Sequence, residues 1–598
     1  MTDNFASFSL DLAENWAAGT LADWDSSTGS VANMGLAKEW YRRCLRDHPQ
    51  CHKSPTPLPT RLIDLGEMGG GSEPVLYETP PGMTGEYVIL SHCWGGGQPL
   101  EPIGPLIDRR WPLPPLSKWL RTFQDAVYIA KRFNIRYVWI DSPCILQRNE
   151  QDWITESGRM SAYFSNAAFT IAAMGAEDGT QGCFWPRNPV LTRPCCVKLH
   201  SGCKTDSRPE LFFIAARPRY DSDPFTNDAP LHSRVWVLQE ELLSRRILRF
   251  GKRQMYWDCL TLAASESDPE EGWKSQMTDT RRILHSSPIV ERAGQHRNPY
   301  YDKWYELVNK VSERNITFNR DILPAISAIA ESIHRLMDPG DKYLAGLWEK
   351  DLVVGLLWVV PRGECLRPKV PEGQPNYDRR DFFAPSWSWI SMSDREPSVW
   401  LRSKIMPGEK LNLYNPRYES WGTQILSANV ELRDDVNIYG EVKSGALRFR
   451  AQICPVRIER KLSPRHDMRG NCETFSSSEL TWNLSTVSIP RLPRLRFRDD
   501  EGASCIVTGD CELDRVEETA RWWSFLSPRT SDHFIQAMFL PLLVHDDDNP
   551  NSFNRFMGLA LVPTENENEF KRIGRASLNV DACDFCNSGL AYQEITVV

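Results

Sequence analysis

Two sets of residues carry types and spacings that can do chemistry. Ser91, Trp94 and Gly95 close the run Tyr87-Val-Ile-Leu-Ser-His-Cys-Trp-Gly95, and Asp141 closes Arg136-Tyr-Val-Trp-Ile-Asp141. Apolar, β-branched runs that stop abruptly at polar side chains are how buried parallel strands deliver groups to their carboxyl ends, where open α/β sheets bind ligands. Leu231 to Arg245 sets Trp236 and Glu240 four residues apart in a helical pattern. Their side chains then share a face and can line one cleft, the carboxylate stabilising a developing positive charge beside an aromatic wall. The plainer alternative is that Gln239 and Glu240 pair with Arg234 or Arg245 and lock the domain.

The second set is Trp40, Cys44, His48 and Cys51, at spacings of four, four and three along a helix and its end. Cys44, His48 and Cys51 can supply three zinc ligands, although no fourth is evident nearby; as core and helix-end residues they need no metal. Cys144 with His92 is a further pairing, a thiolate assisted by imidazole. Cysteines at such turns more often fill buried apolar space.

These groups need a layered scaffold. From Glu86 to about Met174 the pattern runs strand, helix, strand, helix, strand, which predicts parallel pairing with right-handed crossovers. The helix over 122–133 begins with Thr122-Phe-Gln-Asp125, the form of a capping box, and Asp152 is expected to cap the next helix. Phe169-Thr-Ile-Ala-Ala173 reads as the third strand, and 246–250 and 254–257 as two more. The stretch from about Asp178 to Pro230 reads as an irregular insertion. Residues 1–85 are an amino-terminal arm with a helical segment, 86–266 an α/β domain, 267–384 a mainly helical connection, and 385–598 a β-rich region of sandwich or barrel-like form. Trp348, Trp358, Trp387 and Trp389 suit core packing.

At 598 residues the chain exceeds one hydrophobic core. A hydrophobic fraction of 41% with 25% charged residues is that of folded protein. The net charge of -8 offers no basic footprint, so nucleic acid is not the expected partner. The start lacks a cationic and apolar leader, and the run from Leu352 to Val360 is too short to span a bilayer, so a soluble, cytoplasmic protein is expected. In that compartment its 16 cysteines are expected to be mostly buried thiols.

The three opening segments resemble, in order, the fungal heterokaryon-incompatibility (HET) domain, with its Leu-Ser-Tyr-x-Trp-Gly, Trp-Ile-Asp-x-x-Cys-Ile-x-Gln and Arg-x-Trp-x-x-Gln-Glu motifs. The resemblance covers about residues 86–266. His92 stands where that family has Tyr, and Pro143 replaces an apolar residue in the turn after Asp141. HET domains are distantly similar to Toll/interleukin-receptor (TIR) domains, which implies a flavodoxin-like parallel sheet. In many TIR domains a glutamate four residues after a tryptophan sits in a cleft that cleaves the nicotinamide bond of NAD. By that resemblance Glu240 and Trp236 are the catalytic candidates, Ser91, Trp94, Gly95 and Asp141 face the ligand, and NAD is a possible substrate. The family resemblance implies nonself recognition and the triggering of cell death, through a protein partner or self-association of the HET domain. A third use is as an accessory enzyme of a fungal metabolic pathway.

Overall fold

The apolar runs that end at Ser91 and Asp141 lie side by side in the middle of a nine-stranded sheet. The structure is a computed structural model, and it describes residues 7–11, 27–52, 56–67, 70–95, 100–147, 149–187, 195–199, 210–217, 229–270, 276–286, 298–316, 321–358, 384–394, 418–420, 422–433, 437–461, 481–486, 508–513, 534–545, 554–580 and 590–598. The chain divides into two compact units, Met1–Ser287 and Pro288–Val598.

The elements of the first unit that matter for the site are α1 (Val31–Asp47), β1 (Arg61–Asp64), β2 (Val75–Glu78), β3 (Tyr87–Ser91), β4 (Arg110–Pro112), α2 (Arg121–Arg132), β5 (Tyr137–Trp139), α3 (Glu150–Asn166), β6 (Phe169–Ala172), α4 (Val235–Leu243), β7 (Arg246–Phe250), β8 (Met255–Cys259) and β9 (Ala263–Ser265). The sheet order is β9-β8-β7-β6-β3-β5-β1-β2-β4. β5, β3, β6 and β7 are mutually parallel, with Val88 opposite both Val138 and Phe169. Every residue of β3 is buried, as a parallel strand covered on both faces requires. The expected parallel pairing is found in this centre. β1, β2 and β4 on one flank and β8 and β9 on the other pair antiparallel, so the sheet is mixed.

Two expected helix caps have other partners. α2 is preceded by Leu120 with no side-chain cap, and the Asp125 carboxylate instead accepts the Cys183 backbone N–H at 2.8 Å and meets Arg121 at 3.1 Å. α3 is capped by Asn149, which accepts the Asp152 N–H at 3.1 Å. The Asp152 carboxylate is taken by the buried Arg61, whose Nη2 donates to its two oxygens at 2.6 and 2.7 Å. A tertiary cation outcompetes a local N–H for a short acidic side chain. The stretch expected to be irregular contains strands: Glu210–Arg217 pairs antiparallel with Cys195–Leu199 and with Ser7–Asp11.

The second unit has helices α5 (Tyr300–Ser312) and α6 (Ile322–His334). Trp348, Trp358, Trp387 and Trp389 are buried, as expected of core. Trp304 and Trp389 both donate to the Gly346 carbonyl, at 2.9 and 3.1 Å. Most of its strands form one connected, mostly antiparallel ten-stranded sheet, while Tyr343–Leu344 and Leu347–Trp348 pair separately. Asn554–Pro563 lies off the linear strand order and pairs with both Phe534–His545 and Glu569–Val580. No helix among the described residues is long and apolar enough to cross a membrane.

Candidate functional site

α4 is buried on nearly every side. Val235, Val237, Leu238, Gln239, Glu241, Leu242 and Leu243 are buried, and Trp236 and Glu240, one helical turn apart, are the two that are only half-buried. Burial pushes the Glu240 carboxyl up to about 7, while the Ser91 hydroxyl and Arg234 pull it down and Asp141 and Glu241 add to the rise. Ser91, at the carboxyl end of β3, stops short of a completed hydrogen bond with Glu240: Ser91 Oγ and Glu240 Oε2 are both buried oxygens with no hydrogen-bond partner. Buried polar atoms are nearly always satisfied, so these two stand out in the unit.

Asp141 follows β5 and opens the short helical turn Asp141–Cys144. Its carboxylate accepts the Trp94 indole N–H at 2.5 Å and the Ser142 backbone N–H at 2.8 Å. His92 Nδ1 lies 3.9 Å from the same carboxylate, and the imidazole stacks beside Trp94 with ring centroids 6.5 Å apart. Burial pulls His92 below its ordinary value, only partly offset by Asp141, so the ring is neutral at pH 7. Arg234, just ahead of α4, donates to the His92 carbonyl at 2.6 Å and ties helix to strand end. Gly95 has φ +62, and a Cβ there would sit 2.4 Å from Asp178 Cβ, so only glycine fits this turn. Gly96 and Gly97 lie outside the described residues.

The structure therefore brings Ser91, Trp94, Asp141 and Glu240 into one polar cluster at the carboxyl ends of β3 and β5, with Gly95 in the turn beside it. Trp236 shares the face of Glu240. His92 and Arg234 belong to the same cluster. The sequence showed both, but as halves of other pairings. Cys144 does not work with His92: its thiol is buried, and burial pushes it up to about 12, the reverse of an activated nucleophile.

Cys44, His48 and Cys51 come together elsewhere in the unit, at the end of α1 and the turn after it. They meet Cys259, the last residue of β8, and the four ligand atoms all lie within 4.8 Å of one another. In the sequence Cys259 stands just past the run 254–257 that reads as a strand. Nothing local ties it to a helix some 200 residues earlier: His48 and Cys259 are separated by 211 positions.

Fold and site together define an α/β domain with a polar side-chain cluster at the carboxyl ends of its parallel strands, the end at which such sheets bind ligands. Residues 87–240 match the family model described as heterokaryon incompatibility protein (HET). The matched stretch is less than half of the 598 residues. No curated protein and no solved structure matches the chain.

Proposed function

We propose that this chain is a heterokaryon-incompatibility-type signalling protein of the fungal cytoplasm, whose HET domain engages a protein partner or a second copy and triggers cell death after nonself recognition. The HET family match over residues 87–240 carries this reading. Inducible expression in fungal cells, alone and with candidate partner alleles, tests it. Growth arrest with at least one pairing is expected; unimpaired growth with every pairing would count against it.

A second reading, NAD glycohydrolysis through a TIR-like site, draws on one specific observation: a half-buried carboxyl held near 7 opposite an unpartnered hydroxyl. The central order β5-β3-β6-β7 supports it, being second-first-third-fourth in chain order as in flavodoxin-like sheets. Ionised Glu240 would stabilise the positive ribose centre as the bond to nicotinamide breaks, with Trp236 as the aromatic wall. Water then adds to the ribose carbon and loses a proton, giving nicotinamide and ADP-ribose. Nicotinamide release by the purified full-length chain tests this, at concentrations that permit self-association. Because the ionised form is needed, the rate should rise with pH and level off above about 7.

A further inference from the structure

The Cys44, His48, Cys51 and Cys259 group is wholly buried, and three sulfurs and one imidazole nitrogen are a donor set of structural zinc. Cys259 Sγ and His48 Nδ1 are 3.4 Å apart, the spacing of neighbouring ligands on one tetrahedral ion. The sulfurs are approached by N–H donors, as ligating thiolates are: Leu262 N donates to Cys259 Sγ at 3.2 Å, and Arg246 Nε to Cys44 Sγ at 3.2 Å.

Arg246 supplies an independent argument. Its guanidinium is buried, and its other donors go to the neutral carbonyls of Ala168 and Cys51, at 3.1 and 2.6 Å. It makes no ion pair with a carboxylate among the described residues, and a buried cation without an anion is costly. Three thiolates around one zinc ion leave a single negative charge, and Arg246 is placed to balance it.

We propose that Cys44, His48, Cys51 and Cys259 hold one zinc ion that fastens α1 to the end of β8. The ligands lie on both sides of residues 87–240, so the ion closes the chain around the entire HET-matched segment. Cross-links that close long loops restrict the unfolded chain most. α1 is already seated on the sheet through Tyr41, whose ring meets Phe169 at 5.4 Å and Trp257 at 6.3 Å. The ion would fix the far end of that contact.

The test is metal analysis and zinc-edge X-ray absorption on the unaltered full-length chain. The expected result is about one zinc per chain, with three sulfurs at about 2.3 Å and one nitrogen at about 2.0–2.1 Å. Cys259→Ser should lose that zinc, whereas Cys454→Ser in the other unit should keep it. A folded chain that neither contains nor takes up zinc would overturn the assignment. So would a first shell other than three sulfurs and one nitrogen, a disulfide between any two of these cysteines, or full zinc in Cys259→Ser. If Cys259→Ser does not fold, the absorption spectrum of the unaltered chain decides alone.

Discussion

The strand-end polar cluster and the cysteine-histidine cluster are both collections of polar side chains inside one unit, yet they are finished differently. At the strand ends hard oxygen groups of Ser91, Asp141 and Glu240 gather, two oxygens stay without partners, and burial holds one carboxyl near 7. In the cluster, soft donors converge within 4.8 Å and N–H groups approach two of the sulfurs. The first arrangement leaves capacity for a ligand or a proton that comes and goes. The second is complete once a single ion is added.

The largest effect should therefore come from the cluster. Removing zinc with a strong chelator, or substituting Cys259, should cost a large part of the stability of the first unit. Apparent zinc-binding free energies at structural sites are on the order of 10 kcal/mol. Thermal melting of the full-length chain with and without chelator reads this, and superimposable melts would erase the contrast.

Next comes a structural ion pair elsewhere in the same unit. Asp152→Ala strands the buried Arg61 guanidinium and should cost about 3–5 kcal/mol in denaturant unfolding. A cost as small as that of a surface substitution would show that Arg61 finds another partner.

The strand-end cluster should respond to pH. The Glu240 carboxyl is raised from 4.5 to about 7 on folding, so the native state holds a proton that the unfolded chain releases. Its contribution to stability is present below about pH 4.5 and is lost as pH rises towards 7, by at most about 3 kcal/mol. His92, lowered on folding, acts in the opposite sense, destabilising the native state as pH falls. Subtracting the profile of Glu240→Gln from that of the unaltered chain isolates the glutamate; a flat difference would contradict the assignment. The smallest effect is expected from Trp94→Phe, which removes one hydrogen bond to Asp141 and should cost about 1–2 kcal/mol.

What the sequence made legible follows from the range of the interaction concerned. The ends of β3 and β5 could be read because strands buried on both faces are written as apolar runs, and Ser91 and Asp141 interrupt those runs. Trp236 and Glu240 could be read because helical periodicity is local. The antiparallel flanks could not, since β1 is short and its pairing with β5 joins Ile63 to Val138. Asn149 and Asp152 are equally good cap residues in isolation; only the position of Arg61 decides which one is free to cap. Cys259 fell outside the local pattern for the same reason, because the fold, not the spacing, carries it to His48.

The most direct measurement is growth of fungal cells after inducing the intact chain or its Glu240→Gln form at matched protein abundance, with a partner allele that gives arrest. The account predicts that the intact chain arrests growth and that Glu240→Gln, equally abundant and equally folded, does not. Equal arrest by both forms would contradict it, because the Glu240 carboxyl at the ends of β3 and β5 would then play no part in the output.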